Sequence, residues 1–255
     1  MKRTGGLKEE NQERLSESSE MYLQIIWRLT EKGGEVSVTD IAKALCHTLS
    51  TVSERVVRLT EAGFLHHEWR ERVSMTPRGR RRACRTIRKR RLLETFLYRM
   101  AGYGIHELHE EACRLEHIIS DRLADALDRM LDFPQRDPHG HSIPGRDGAI
   151  REDALEPLSG AIEDRTVCIV RLRSADPEVL EYAARIGLLP GRSFTVAEKA
   201  PLQGPLTLVD GDRRIAISYE IASIVDIHAG QSVCPDEIAR GRQSCMPSIR
   251  QVAGP

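Results

Sequence analysis

The sequence predicts a mainly α protein with a β module: a winged helix-turn-helix, a helical domain and a carboxy-terminal β-rich module. Three observations carry that reading. Short amphipathic helical patterns run from residue 18 to residue 65 and end in a basic hairpin. A second helical region follows, rich in charge and broken at Ser120. From about Asp164 the composition turns to short β-rich runs. With 255 residues the chain is long enough for more than one core.

Residues 1–17 are polar and expected to form a disordered arm. From Ser18, Met21, Tyr22, Ile25, Ile26 and Leu29 recur at helical spacing, and Gly33-Gly34 is the expected stop. "VSVTDIAKAL" reads as a short helix capped by Ser37 or Thr39. A turn, "CHTL", leads to "STVSERVVRLTEAGFL", with Val52, Val56, Leu59 and Phe64 as its buried stripe and Gly63 as its stop. "HHEWRERVSMT" reads as a small hairpin, and Thr76-Pro77 as a helix start reaching about Met100. Residues 106–131 are helical, with a break where Ser120 caps a fresh helix. "DFPQRDPHGHSIPGRDG", rich in Pro and Gly, carries turn chemistry. The expected boundaries are 18–76 for the winged helix, 77–148 for the helical domain, 149–162 for a linker, 163–230 for the β-module and 231–255 for a flexible tail. One short helix, "DPEVLEYAARIG", is expected within the β-module.

Composition excludes some classes. No apolar run approaches a membrane span and the first residues lack an apolar signal core, so a cytoplasmic protein without a membrane partner is expected. Six scattered cysteines in a reducing compartment should be thiols. The net charge is zero, yet basic residues crowd the stretch from Arg70 to Arg91, opposed only by Glu71. That asymmetry suggests a surface facing a polyanion; a solvated helix face is the plainer alternative.

The helix beginning near Ser50 is expected to present Thr48, Ser50, Thr51, Ser53, Glu54 and Arg55 at its amino-terminal end, the end a recognition helix places in the major groove of double-stranded DNA. Small hydroxyl side chains there can approach base edges and thymine methyls. Arg70 and Arg72 of the hairpin, then Arg78 and Arg80, can contact phosphate.

The segment "HEEACRLEHIIS" carries a different chemistry. His109, Cys113, Glu116 and His117 fall at roughly 0°, 40°, −20° and 80° around a helix, so all four project from one face. Imidazole, thiolate and carboxylate in one sector form half a shell for a first-row transition metal. The alternative is structural, with Cys113 a small core residue and His117 a satisfied core histidine.

Together, "SEMYLQIIWRL", "TVSERVVRLTEAGFL", "MTPRGRR" and "HEEACRLEHIISD" resemble the diphtheria-toxin-repressor family of metal-dependent regulators. The resemblance runs in order over nearly all of residues 18–230. It implies a winged helix, a helical dimerisation domain and a carboxy-terminal SH3-like (FeoA-like) β-barrel, in a homodimer that binds operator DNA when loaded with divalent metal and controls metal-homeostasis genes. It implies a primary metal site of Met21, Cys113, Glu116 and His117, with Met21 tying the first helix to the helical domain. It implies an ancillary site of Glu94 and His109, joined by Asp176 or Glu178 of the third domain. One residue departs from the pattern. Where iron-type members carry a histidine four residues before that glutamate, this chain has Arg90, which cannot ligate a cation; pairing with Glu94 is its expected alternative role. Met21 and Cys113 resemble the iron-responsive branch, whereas "RLLETFL", "FPQRDPHG" and Ser53-Glu54 resemble the manganese-responsive one. Soft thioether and thiolate donors favour Fe²⁺, with Mn²⁺ the alternative. Two other functions fit parts of the sequence: a metalloenzyme built on the His/Cys/Glu cluster, and an iron-transport accessory protein. Neither has a use for a winged helix, and no pairing of nucleophile and base is evident.

Overall fold

The computed structural model describes residues 15–30, 35–67, 72–151 and 153–228. The expectations for the amino-terminal arm up to residue 14, the Gly33-Gly34 stop, Arg70 at the hairpin tip and the tail beyond residue 228 lie outside them. The chain divides into two compact units, one of Met1–Arg88 with Pro144–Ala149, the other of Lys89–Ile143 with Ile150–Pro255.

The first unit opens with α1, Glu17–Thr30, whose first-turn Glu17 and Glu20 and last-turn Arg28 complement the helix dipole. Its buried stripe is Tyr22, Leu23, Ile26 and Trp27. Met21 and Leu29, expected in that stripe, are exposed instead. The run Met-Tyr-Leu-Gln-Ile-Ile-Trp is apolar on too many sides for periodicity alone to orient it. Helix α2, Val38–Leu45, starts at a capping box in which Ser37 and Asp40 each accept from the other's backbone N–H. It ends at Cys46 in the left-handed region, φ 53°. Helix α3, Leu49–Glu61, is capped by Thr48, whose Oγ1 accepts from the Thr51 N–H, and buries Val52, Val56 and Leu59 as expected. A two-stranded wing follows, β1 at Leu65–His66 antiparallel to β2 at Ser74–Met75. Val73, just before β2, bridges to Val36.

Helix α4, Pro77–Met100, starts where Thr76-Pro77 predicts. The Thr76 hydroxyl accepts from the Gly79 N–H at 3.0 Å and donates to the Gly63 carbonyl at 2.8 Å, so one side chain caps the helix and holds the turn before the wing.

In the second unit, α4 continues into α5, Leu108–Leu115, and α6, Asp121–Met130. Ser120 caps α6 by accepting from the Leu123 N–H. Helix α5 is shorter than expected: Glu116 is its C-cap and residues 116–119 form a turn, although Glu116 keeps helical dihedrals. Six antiparallel strands follow: β3 Leu155–Pro157, β4 Thr166–Leu172, β5 Ser193–Lys199, β6 Leu206–Asp210, β7 Arg213–Ile217 and β8 Val225–His228. Their order is β3-β8-β4-β5-β6-β7, with bulges in β4 and β5 that bend the sheet. Helix α7, Pro177–Ile186, is the one the sequence predicts. A second, α8 at Tyr219–Ile224, is capped by Ser218 in a stretch expected to be strand only in part. Residues 155–160, expected as linker, instead supply β3 and a 3-10 turn that buries Leu158. One hydrophobic cluster joins Leu93, Leu97 and Leu108 of the helices to Phe194, Val196 and Leu208 of the sheet. The cysteine expectation holds at Cys46, Cys84 and Cys113, which are free; Cys168 departs from it and is disulfide-bonded.

Candidate DNA-reading face and metal centre

Thr48, Ser50, Thr51, Ser53 and Glu54 are exposed at the start of α3. The Thr48 hydroxyl lies 3.0 Å from that of Ser50 and 2.9 Å from that of Thr51, so cap and candidate contacts share one hydroxyl cluster. Glu54 pairs with Arg58 along the helix at 2.5 Å. Arg55 behaves differently from its neighbours. It is half-buried, donates to Ser19 Oγ at 3.3 Å and lies over the Tyr22 ring at 5.9 Å from its centroid. The Tyr22 hydroxyl in turn sits 2.9 Å from His47 Nδ1. Arg55 therefore braces α3 against α1, a role the helical pattern did not reveal.

Arg72 is exposed on the wing and donates to the Glu35 carbonyl at 3.2 Å. The basic stretch that follows divides along α4. Arg78, Arg80, Arg81 and Arg85 are exposed, with Arg78 stacked on Phe64 and donating to the Ala62 carbonyl. Arg82 pairs with Glu20 at 2.5 Å, and Arg88 donates to the Pro144 carbonyl. Lys89 reaches the Ile119 carbonyl and Asp121, and Arg91 the Ser142 carbonyl. Half of the expected polyanion surface is thus internal staple: Arg82 and the consecutive run Arg88, Lys89, Arg90 and Arg91 are all tied to other segments of the chain.

Two sets of metal-type side chains lie in the second unit. Cys113 stands on α5 with Glu116 and His117 just after it, and these touch their neighbours pairwise. His117 Nε2 lies 3.2 Å from Glu116 Oε1, and Cys113 Sγ lies 3.7 Å from His109 Nε2. The second group is Glu94 of α4 with Asp137 and His139 of the loop after α6, all three buried, each offering one ligand atom within 4.8 Å of the others. His109 adjoins both groups, its Nδ1 4.0 Å from Glu94 Oε1. The donor set fits a divalent first-row ion: thiol, carboxylate and imidazole in the first group, carboxylates and imidazole in the second.

Electrostatics follow from burial and close charge. Burial pushes the Cys113 thiol up, with the Arg90 charge pulling back in part. Burial, then Arg90, hold His109 below the ordinary imidazole range. Burial also opposes ionisation of Asp137, but His141, His139 and Arg91 around it outweigh that and hold its carboxyl well below the usual range. At His139 burial disfavours the imidazolium, while Glu94 at 3.8 Å and the Asp137 charge overcome it and raise the pKa.

Three expectations change. Arg90 makes its bidentate bond to Glu116, Nε to Oε2 at 2.6 Å and Nη2 to Oε1 at 3.0 Å, where pairing with Glu94 was expected. The position lies one helical turn from Glu94, and Glu116 across from α4 presents both oxygens to the guanidinium fork. Asp176 and Glu178 are exposed at the start of α7, where Asp176 caps the helix by accepting from the Glu178 N–H at 2.9 Å; neither belongs to the Glu94 group. The side chains that do adjoin Glu94 are Asp137 and His139, in a stretch expected to carry only turn chemistry. Their one signal was the alternation Asp137, His139, His141 between prolines and glycines. Met21 lies in the first unit, exposed on α1.

Comparison with known proteins bears on the order of the domains. The profile "Iron dependent repressor, N-terminal DNA binding domain" matches residues 14–73. "Iron dependent repressor, metal binding and dimerisation domain" matches 76–145, and the FeoA domain matches 156–228. The diphtheria toxin repressor of Corynebacterium efficiens is 30% identical over 223 residues, covering 84% of this chain and 96% of that protein. The Corynebacterium glutamicum protein of the same name is 39% identical over 146 residues, 57% of this chain and 64% of that protein. The iron-dependent repressor IdeR of Mycobacterium tuberculosis is 28% identical over 229 residues, covering 84% and 97%. Among solved structures, a manganese-dependent transcriptional repressor in complex with manganese is 34% identical with a TM-score of 0.75, covering 83% of this chain and 99% of that one. With the winged helix, helical domain and six-stranded sheet in the same order, the chain belongs to the diphtheria-toxin-repressor family of iron-dependent repressors.

Proposed function

We propose that the protein is a metal-activated transcriptional repressor, binding operator DNA as a homodimer and controlling metal-homeostasis genes. The observation that carries this reading is the pairing, in one chain, of an exposed hydroxyl-bearing helix start at Thr48–Ser53 with a buried donor trio, Glu94/Asp137/His139. A repressor needs the first to read bases and the second to sense an ion. Among the described residues no helix is long and apolar enough to cross a membrane.

The proposed primary donors are Cys113, Glu116 and His117, with Met21 carried over from the family resemblance. Glu94, Asp137 and His139, adjoined by His109, are the proposed ancillary donors. A bound divalent ion would supply cross-linking charge, joining donors from separate segments of chain. Cys113 must lose its proton to ligate, and its raised pKa makes that loss depend on the ion. Fe²⁺ is the proposed activator, on the softness of Met21 and Cys113, with Mn²⁺ as the alternative. The all-oxygen-and-imidazole character of the Glu94 group is what favours that alternative. The test is binding to the protein's own promoter with chelator, with Fe²⁺ under anaerobic conditions, and with Mn²⁺. Equal affinity in all three conditions would refute metal activation.

A further inference from the structure

Glu116 is the carboxylate of the proposed primary set, and both its oxygens are committed within the protein. Its side chain is 2% exposed, and a carboxylate so buried needs a counter-charge. Arg90 supplies it through both carboxylate oxygens at 2.6 and 3.0 Å, the fork geometry in which guanidinium binds carboxylate most strongly. His117 adds a third contact at 3.2 Å to one of the same oxygens. The fork and His117 take three of the carboxylate's roughly four lone-pair positions, and the guanidinium holds a positive charge against both oxygens, so a divalent ion approaching Glu116 must compete with it.

We propose that Arg90 is a resident counter-ion that competes with divalent metal for Glu116, so that metal loading requires the guanidinium to leave that carboxylate and Arg90 sets the concentration at which the sensor responds. The inference rests on the metal-activated reading above. A guanidinium suits the role because it stays charged at any physiological pH, so the competition cannot be titrated away. Its side chain keeps 23% exposure, which leaves it a route toward solvent when displaced. Its charge also reaches Cys113 and His109, so its departure changes the field at several donors together.

The experiment is Co²⁺ titration of the full-length, metal-free protein under anaerobic conditions, reading the thiolate-to-cobalt absorption that reports Cys113. Wild type, Arg90→Gln, Arg90→Lys and Cys113→Ser are compared. Arg90→Gln should bind Co²⁺ more tightly by on the order of tenfold, the low end of coupling for a close charge pair. Arg90→Lys, which keeps the charge and loses the fork, should fall between it and wild type. The melting temperature should rise more on cobalt addition in Arg90→Gln than in wild type, because its metal-free Glu116 lacks a counter-ion. If Arg90→Gln does not fold without metal, Arg90→Lys decides. Unchanged or weaker cobalt affinity in the folded Arg90 variants, with the Cys113-dependent band present, would overturn this proposal alone. A wild-type protein whose cobalt spectrum is the same as that of Cys113→Ser would overturn the primary-site reading and this inference with it.

Discussion

The backbone N–H of Leu172 donates to the carbonyl of His139 at 2.8 Å. A strand of the sheet thereby grips the loop that carries two members of the buried Glu94 group. Beside that bond, Gly140 has φ +90°, and a Cβ there would stand 1.8 Å from the Val170 carbonyl oxygen. Gly140→Ala must push loop and strand apart and is expected to cost about 2–4 kcal/mol. Chemical denaturation should show that loss, and Mn²⁺ affinity at the Glu94 group should fall with it. A variant as stable as wild type would mean the loop yields freely.

The raised pKa of His139 gives the metal-free protein a pH signature. A group whose pKa is higher in the folded state adds stability that is complete below its unfolded value, about 6.5, and is lost as pH rises through the folded one. Urea melts in chelator should therefore show stability falling as pH rises beyond about 6.5, and His139→Asn should flatten the slope. Metal competes with that proton, so metal affinity should climb over the same range.

On the DNA face, Thr48 serves two purposes that substitutions can separate. Thr48→Ala removes the α3 cap and should cost about 1 kcal/mol, whereas Thr48→Ser keeps it. Thr51→Val and Ser53→Ala should shift base preference with little change in stability, as measured by binding to a randomised operator pool.

Arg72 is exposed beside the wing, and we propose that it contacts phosphate rather than bases. Arg72→Ala should weaken binding to all sequences alike and reduce the slope of log affinity against log salt by about one unit. Arg55→Ala should act otherwise, loosening α3 from Ser19 and Tyr22 and lowering stability even without DNA. Intact affinity and salt slope in Arg72→Ala would remove the wing from the interface.

For metal choice, the double change Met21→Asp with Cys113→Glu replaces both soft donors by hard ones. Wild type should repress in iron-replete cells, and the variant should gain a manganese response. Wild-type repression by manganese with indifference to iron would show that donor softness does not select the ion.

The sequence by itself determined what is local. Ser37, Thr48, Thr76 and Ser120 mark helix starts because a cap hydroxyl acts on backbone N–H groups two or three residues away. The meeting of His109 and Cys113 was legible for the same reason, since helix geometry brings residues four apart onto one face. Tertiary structure decided what depends on distant partners. Arg90 could meet several carboxylates, and the choice of Glu116, 26 residues away, follows from how α5 packs on α4. Asp137 and His139 sit in a Pro- and Gly-rich stretch that reads as solvated turn. They are buried because α4 and the sheet close over that loop, and burial of this kind leaves no periodic trace along the chain.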